Sequence, residues 1–223
     1  MTNKSQMTSF WIIGGGKFGL KAAEAAIKKN SRADITIIDK DSEVCDEAAL
    51  RGFNCVCMDG IKFLSANLEP DGFPDWIIPV IPVHVAYEWI QIKLAEEYLV
   101  APYVIPEELE ASLPNPLRGK EGALYASFAD FICPDNCPEP GKICTYTGKS
   151  RLGTLHQKLA SIRLEGFRSI VIQSRQLSPG VGGYPPEDLY AALQKVKEAK
   201  SVCLLSTACR CHGVIHAFKL KKT

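Results

Sequence analysis

The sequence predicts an α/β fold with a Rossmann-type parallel sheet in its N-terminal half, a Cys- and Pro-rich insert, and a further α/β portion. Three observations predict it. Short apolar runs alternate with helical patterns over the first hundred residues, the first run leads straight into a glycine-rich turn, and the alternation resumes after a proline-rich break. With 46% hydrophobic and 23% charged residues, the 223-residue chain can bury one good core or two small ones, which excludes a disordered or fibrous protein.

Strands are expected at Ser9–Ile13, Asp34–Ile38, Asn54–Cys57 and Trp76–Ile81. Between the first two, Lys17–Lys29 is alanine-rich and sets Phe18, Ala22, Ala25, Ala26 and Ile27 close to one face, as a thin helix packed on a sheet requires. Asp41–Gly52 reads as a helix ended by a glycine, and His84–Val100 as a longer one. Seven prolines between Pro102 and Pro140 break both periodicities, so this stretch reads as a loop-rich insert or linker. Beyond it come a helix at Gly153–Glu165, a strand at Ser169–Gln173, a helix at Glu187–Ala199, and strands at Val202–Ser206 and Gly213–Leu220. The expected division is a dinucleotide-binding domain over residues 1–100 and a Cys-rich α/β portion over 101–223. No internal repeat or low-complexity segment is visible.

Lys+Arg 26 against Asp+Glu 25 leaves a formal charge of +1, without the basic field that non-specific nucleic-acid binding needs. The opening MTNKSQMTSFWIIGGG holds no apolar run of signal-peptide length, so a cytoplasmic protein is expected. The longest uncharged apolar stretch, Trp76–Tyr87, is too short for a bilayer and is interrupted by Pro79, Pro82 and His84, so no membrane span is expected.

Gly14, Gly15, Gly16, Lys17, Phe18 and Gly19 satisfy G-x-G-x-x-G after the apolar run Phe10–Ile13 and before the alanine-rich helix. In that context Gly14 permits the tight turn, Gly16 lets a pyrophosphate approach the backbone, and Gly19 allows helix and strand to pack closely. Asp39 ends the next apolar strand twenty residues after Gly19, where a carboxylate can accept hydrogen bonds from an adenosine ribose. It favours NAD over NADP by repelling a 2′-phosphate, whereas Lys40 beside it offers such a phosphate a cation. A glycine-rich turn without a ligand is the alternative reading.

WIIGGGKFGLKAAEAAIKK, then ITIIDKD and CVCMDG, resembles the NAD-binding domain of the potassium-uptake regulators, of the TrkA N-terminal or RCK type. The resemblance covers the first sixty to eighty residues and implies an NAD(H) site at Gly14, Gly16, Gly19, Asp39 and, loosely, Asp59. The Cys-rich second half does not resemble the ligand-sensing domain that usually follows in those regulators. The glycine turn is also similar to that of precorrin-2 dehydrogenase, which would imply an NAD-dependent oxidation.

Nine cysteines are many for a chain of this size, and an odd number does not fit a fully paired disulfide framework. Cys45, Cys55, Cys57 and Cys203 lie on helix or strand patterns and read as buried inert thiols. Cys133, Cys137 and Cys144 instead form a C-x₃-C-x₆-C run in a segment too proline-rich for a helix. Cys209, Cys211 and His212, with His216, form a second compact group. Three thiols in twelve residues, two followed by proline, fit iron–sulfur ligation; zinc is the main competitor, although C-x₂-C knuckles are missing. Redox-active thiols or a plain structural role remain as alternatives.

His84 follows the expected fourth strand, where ligands collect beyond the carboxyl ends of a parallel sheet, and is a candidate for proton transfer at the nicotinamide; a structural histidine at a helix start is the alternative. Thr147–Ser150 mimics the end of a P-loop, but Ile143 stands where its first glycine is required. The glycines of Ser178–Pro186 read as a lid or a plain connection. The expected activity is an NAD(H)-binding oxidoreductase or electron-transfer protein that couples the nucleotide to a Cys-ligated centre and to a small-molecule or protein redox partner. A non-catalytic NAD(H)-responsive regulator is the rival, and a homo-oligomer stays open.

Overall fold

In a computed structural model, residues 7–223 are described apart from 71, 73, 140 and 152. Met1–Gln6 and Pro140, used in the leader and proline readings above, lie outside them. β1 (Ser9–Ile13), β2 (Asp34–Asp39), β3 (Asn54–Cys57) and β4 (Trp76–Pro79) form a parallel sheet in the order β3-β2-β1-β4. β1 pairs in register with β2, Ile12 opposite Ile37, and with β4, Ile12 opposite Ile78. The connections are α1 (Lys17–Lys29) and α2 (Ser42–Leu50), with α3 (Gly60–Asn67) leading towards β4. The strand order reverses between β1 and β4, which opens a crevice at their carboxyl ends.

The expected α/β class and the N-terminal parallel sheet are both present. Several elements differ from the sequence reading. α4 covers Val85–Leu94, and the chain then turns into β5 (Tyr98–Pro102) instead of staying helical to Val100, because β5 pairs antiparallel with a far-off strand, Phe218 opposite Pro102. α3 was absent from the expected elements. The proline-rich stretch holds α5 (Glu107–Ser112), β6 (Leu117–Arg118) and β7 (Leu124–Ser127). Pro102 ends β5 and Pro106 precedes α5, and no proline falls within Leu124–Ser127, which is left free to join a ladder.

α6 (Leu155–Ala160), β8 (Phe167–Gln173), β9 (Arg175–Ser178), β10 (Val181–Gly183), α7 (Pro186–Lys197), β11 (Val202–Ala208) and β12 (His212–Lys222) complete the chain. The second sheet runs β6-β7-β12-β11-β8 with β5 also on β12; β8 and β11 are parallel, and β11 and β12 form a hairpin. Instead of a lid, the 178–183 glycines make the β9–β10 hairpin, which docks on the first sheet through reciprocal Ile77–Tyr184 backbone bonds of 2.9 and 3.0 Å.

Burial explains the stacking. β11 alternates, with Val202, Leu204 and Ala208 facing α5 and α6, and Cys203 and Leu205 facing the opposite side. That opposite side meets α3, α4 and α7, which also cover Trp11, Ile13 and Ile77 of the first sheet. A single apolar layer therefore serves both sheets, while α1 and α2 cap the far face of the first. Cys45 and Cys55 are joined by a disulfide between α2 and β3, so these two are not the inert free thiols expected; Cys203 is buried and Cys57 exposed. No helix among the described residues is long and apolar enough to cross a membrane.

Phe218 is fully buried where β12 meets the shared layer. Phe218→Ala is expected to lower unfolding free energy by about 3–5 kcal/mol, read from urea denaturation followed by circular dichroism.

Candidate functional site

The glycine turn is built by three different constraints. Gly14 has φ +108° and its amide donates to the Ile38 carbonyl at 2.8 Å, which ties the turn to β2. A side chain at Gly19 would overlap the Gly14 carbonyl, and one at Gly15 would collide with Val44 and Ile37, so both serve packing. Gly16 is unlike these. Its φ −63° and ψ −165° suit any residue, and an added Cβ would meet no atom within 4 Å. The protein's own structure makes no demand for glycine there, and the open space lies at the N-terminus of α1, where backbone N–H groups attract anions.

Asp39 sits at the carboxyl end of β2, its Oδ2 accepting from the Gly15 amide at 2.7 Å and its Oδ1 from the Asp41 amide at 3.0 Å. The carboxylate is thus held rigidly beside the turn, with acceptor capacity left for ribose hydroxyls. Lys40 follows it and is exposed. Asp59 caps α3, one oxygen accepting from the amides of Ile61 and Lys62 at 3.0 and 2.9 Å. The turn, the carboxylate and the open helix end together fit a dinucleotide.

Beside this turn a cavity of about 440 Å³ opens at the seam between the two sheets. Phe18, Pro79 and Val80 line it from the first sheet's side, and Cys133, Cys137, Cys209, Cys211 and His212 from the other. Both cysteine groups picked out in the sequence therefore meet here, next to the glycine turn. Cys144 lines an adjoining cavity of about 320 Å³ whose wall also contains Cys133 and Cys211. The cysteine loop is pinned to α1: Lys17 Nζ pairs with the Asp135 carboxylate at 2.6 Å, and Lys21 donates to the Asp135 carbonyl. The β9–β10 hairpin holds the loop from below, since Gln176 Nε2 and the Gly180 amide donate to the Cys137 carbonyl at 2.7 and 3.0 Å.

The thiols differ in character. Burial, aided by Glu139, pushes Cys209 up to about 12, and its sulfur accepts the amides of Cys211 and His212 at 3.4 and 3.3 Å. Burial also raises Cys133 and Cys211, each further opposed by neighbouring thiols. Cys144 goes the other way, down to about 6, because the Thr147 hydroxyl and the amides of Thr147 and Tyr146 donate to its sulfur, with Arg151 assisting. This is the role of the segment that mimics a P-loop. His212 lies between two thiols, Nε2 3.5 Å from Cys133 Sγ and Nδ1 3.8 Å from Cys209 Sγ. Among the described residues no three Cys, His, Asp or Glu donors already converge as a metal ion requires.

His84 lies in a third cavity of about 300 Å³, which shares Pro79, Ser174, Cys209 and His212 with the thiol pocket. It is buried, Nδ1 2.9 Å from His216 Nδ1 and Nε2 2.9 Å from the Thr207 hydroxyl. Tyr87 stacks on His216 at 4.1 Å. Burial drives His84 down to about 3, with the neighbouring His216 adding to it, and burial lowers His216 to about 4, so both rings are neutral at pH 7. Thr207, Ser174, Gln176 and Glu139 were not among the sequence candidates; they are isolated polar residues without a motif, and only folding brings them to the seam.

Residues 10–64 match the TrkA-N domain, which covers the glycine turn, Asp39 and Asp59 and supports NAD(H) binding. Residues 86–221 match the AF_1314_C family, described as the C-terminal domain of an uncharacterized protein. An uncharacterized protein of Archaeoglobus fulgidus is 33% identical over 226 residues, covering 93% of this chain and 98% of that protein.

The two histidines fix the acid limb of stability. Their folded values lie below the ordinary 6.5, so the unfolded chain binds more protons than the folded one as pH falls from about 6.5 towards 4, and stability is lost in that window. His84 alone contributes about 1.4 kcal/mol per pH unit, and His216 acts in the same direction. Thermal melts from pH 7 to 4 are expected to show this decline, and His84→Gln to flatten it.

Proposed function

The chain belongs to the AF_1314_C family, and from that premise we propose that it is an NAD(H)-binding redox protein exchanging electrons between the nicotinamide and a Cys-ligated centre in the thiol pocket at its seam. The observation that carries the reading is the pocket's position, with Phe18 at the start of α1 on one wall and four cysteines on the other. NAD(H) supplies hydride chemistry when bound. The chain's own residues do the rest: the N-terminus of α1 and the space at Gly16 receive the pyrophosphate, Asp39 takes the ribose and disfavours a 2′-phosphate, and Pro79 and Val80 limit water at the nicotinamide end.

In this reading His84 handles protons for the adjoining cavity. With one ring nitrogen on Thr207 and the other on His216, it passes a proton along by changing tautomer, without acquiring the charge that its burial opposes. A second reading has its own observation. Lys17 at the nucleotide turn is paired to Asp135 of the cysteine loop, so an arriving pyrophosphate competes for Lys17 and releases the loop, as a nucleotide-responsive regulator requires.

Calorimetric titration is expected to show NAD(H) binding in preference to NADP(H), with Gly16→Ala weakening it by about 10-fold or more while the melting temperature barely moves, because the added Cβ occupies ligand space and meets no protein atom within 4 Å. Absence of binding to wild type at millimolar concentration overturns the nucleotide site. Ferricyanide then separates the two readings: two acceptors are reduced as one NADH becomes NAD⁺ and a proton. Turnover that falls in Cys133→Ser and in His84→Gln, with nucleotide affinity kept, supports the redox protein; tight binding without turnover assigns the regulator.

A further inference from the structure

We propose that Cys133, Cys137, Cys144 and Cys211 bind one iron–sulfur cluster at the partition between the thiol pocket and the cavity beside it; the proposal deepens the redox reading above and rests on it. Placement comes first. Cys133 and Cys211 line both cavities, Cys137 only the one facing the nucleotide turn, and Cys144 only the other, so four thiols from three chain segments surround a single wall.

Each segment is held by bonds that do not use the sulfur as a linker to another thiol. The Cys137 carbonyl takes Gln176 and Gly180, the Cys211 carbonyl takes the Phe128 amide at 2.9 Å, and the Cys144 amide donates to the Lys149 carbonyl at 2.9 Å while the Gly148 amide returns to the Cys144 carbonyl at 2.8 Å. Around the Cys144 sulfur the Tyr146 and Thr147 amides are already in place; such N–H donors are the outer shell that stabilises a ligating thiolate and tunes a cluster.

The lining favours a cluster over a single ion. A zinc ion needs its four thiolates gathered at about 2.3 Å from one point, whereas these four line two cavities that meet at one wall. Thiols spread around cavity walls instead suit a larger group that presents a separate iron to each ligand. Charge agrees as well: four thiolates give a cluster a net negative charge, and the Arg151 guanidinium lines both cavities. Cys209 is left out of the ligand set. It lines the thiol pocket and the His84 cavity but not the cavity that Cys144 lines, and its sulfur accepts the amides of Cys211 and His212, so it shapes the tip that carries Cys211 and is a positioning residue.

Anaerobically purified full-length protein is expected to contain iron and acid-labile sulfide in equal amounts and to show a broad visible absorbance that dithionite bleaches. Cys133→Ser and Cys211→Ser are each expected to lower iron content at least tenfold, and Cys209→Ser to retain it. Colourless protein that also fails to take up iron and sulfide on reconstitution overturns the proposal, as does stoichiometric zinc without sulfide; iron lost in Cys209→Ser but kept in Cys211→Ser overturns the ligand assignment. If the serine variants do not fold, the wild-type spectrum and iron and sulfide content still decide. NAD(H) calorimetry is independent of all these readouts, so a missing cluster with intact nucleotide binding sinks this inference alone.

Discussion

The arrangement depends on the apolar layer of α3, α4 and α7 that both sheets share. Trp89, Ile90 and Leu94 of α4 and Leu189 and Val196 of α7 are buried between Trp11, Ile13 and Ile77 on one side and Ile170, Leu205 and Phe218 on the other. Interiors of this kind are packed as densely as organic crystals, so neither sheet can slide without opening voids. The layer therefore fixes the carboxyl ends of β1 and β4 against the β11–β12 tip. The seam cavities exist because two rigid sheets meet at a set distance.

Around the seam, local bonds set what each group can do. The glycines of the turn have different causes: Gly14 answers a backbone requirement, Gly15 and Gly19 answer packing, and Gly16 answers nothing within the protein. That contrast leaves open space at the turn where the protein itself requires none. The Lys17–Asp135 pair links it to the cysteine loop, and because both groups are largely exposed the link is weak enough to be exchanged for a stronger anion.

Burial gives the seam its chemical range. The same loss of water that keeps His84 and His216 neutral holds Cys209 protonated, while donors gathered on Cys144 favour its thiolate. Thiols of opposite tendency thus stand within one small region, next to imidazoles that stay neutral at pH 7.

The sequence by itself determines the local features. Alternating apolar runs, the strand–turn–helix context of Gly14–Gly19, the placement of Asp39 and the compactness of the two cysteine groups all depend on neighbours within about twenty residues; β1 to β4, α1 and the place of Asp39 at the end of β2 follow from them, whereas α3 and β5 do not. Tertiary structure alone decided the rest. β5 became a strand because β12 needed a partner for Phe218–Lys222, and β7 formed inside a proline-rich stretch because Gly213 and Val214 face Ala126 and Tyr125. His84 found His216 across 132 positions, and Cys133 came to His212 across 79. Pairings of that range follow from which buried faces fit, and no local pattern encodes them, because hydrophobic periodicity says which side of an element is buried but not against what.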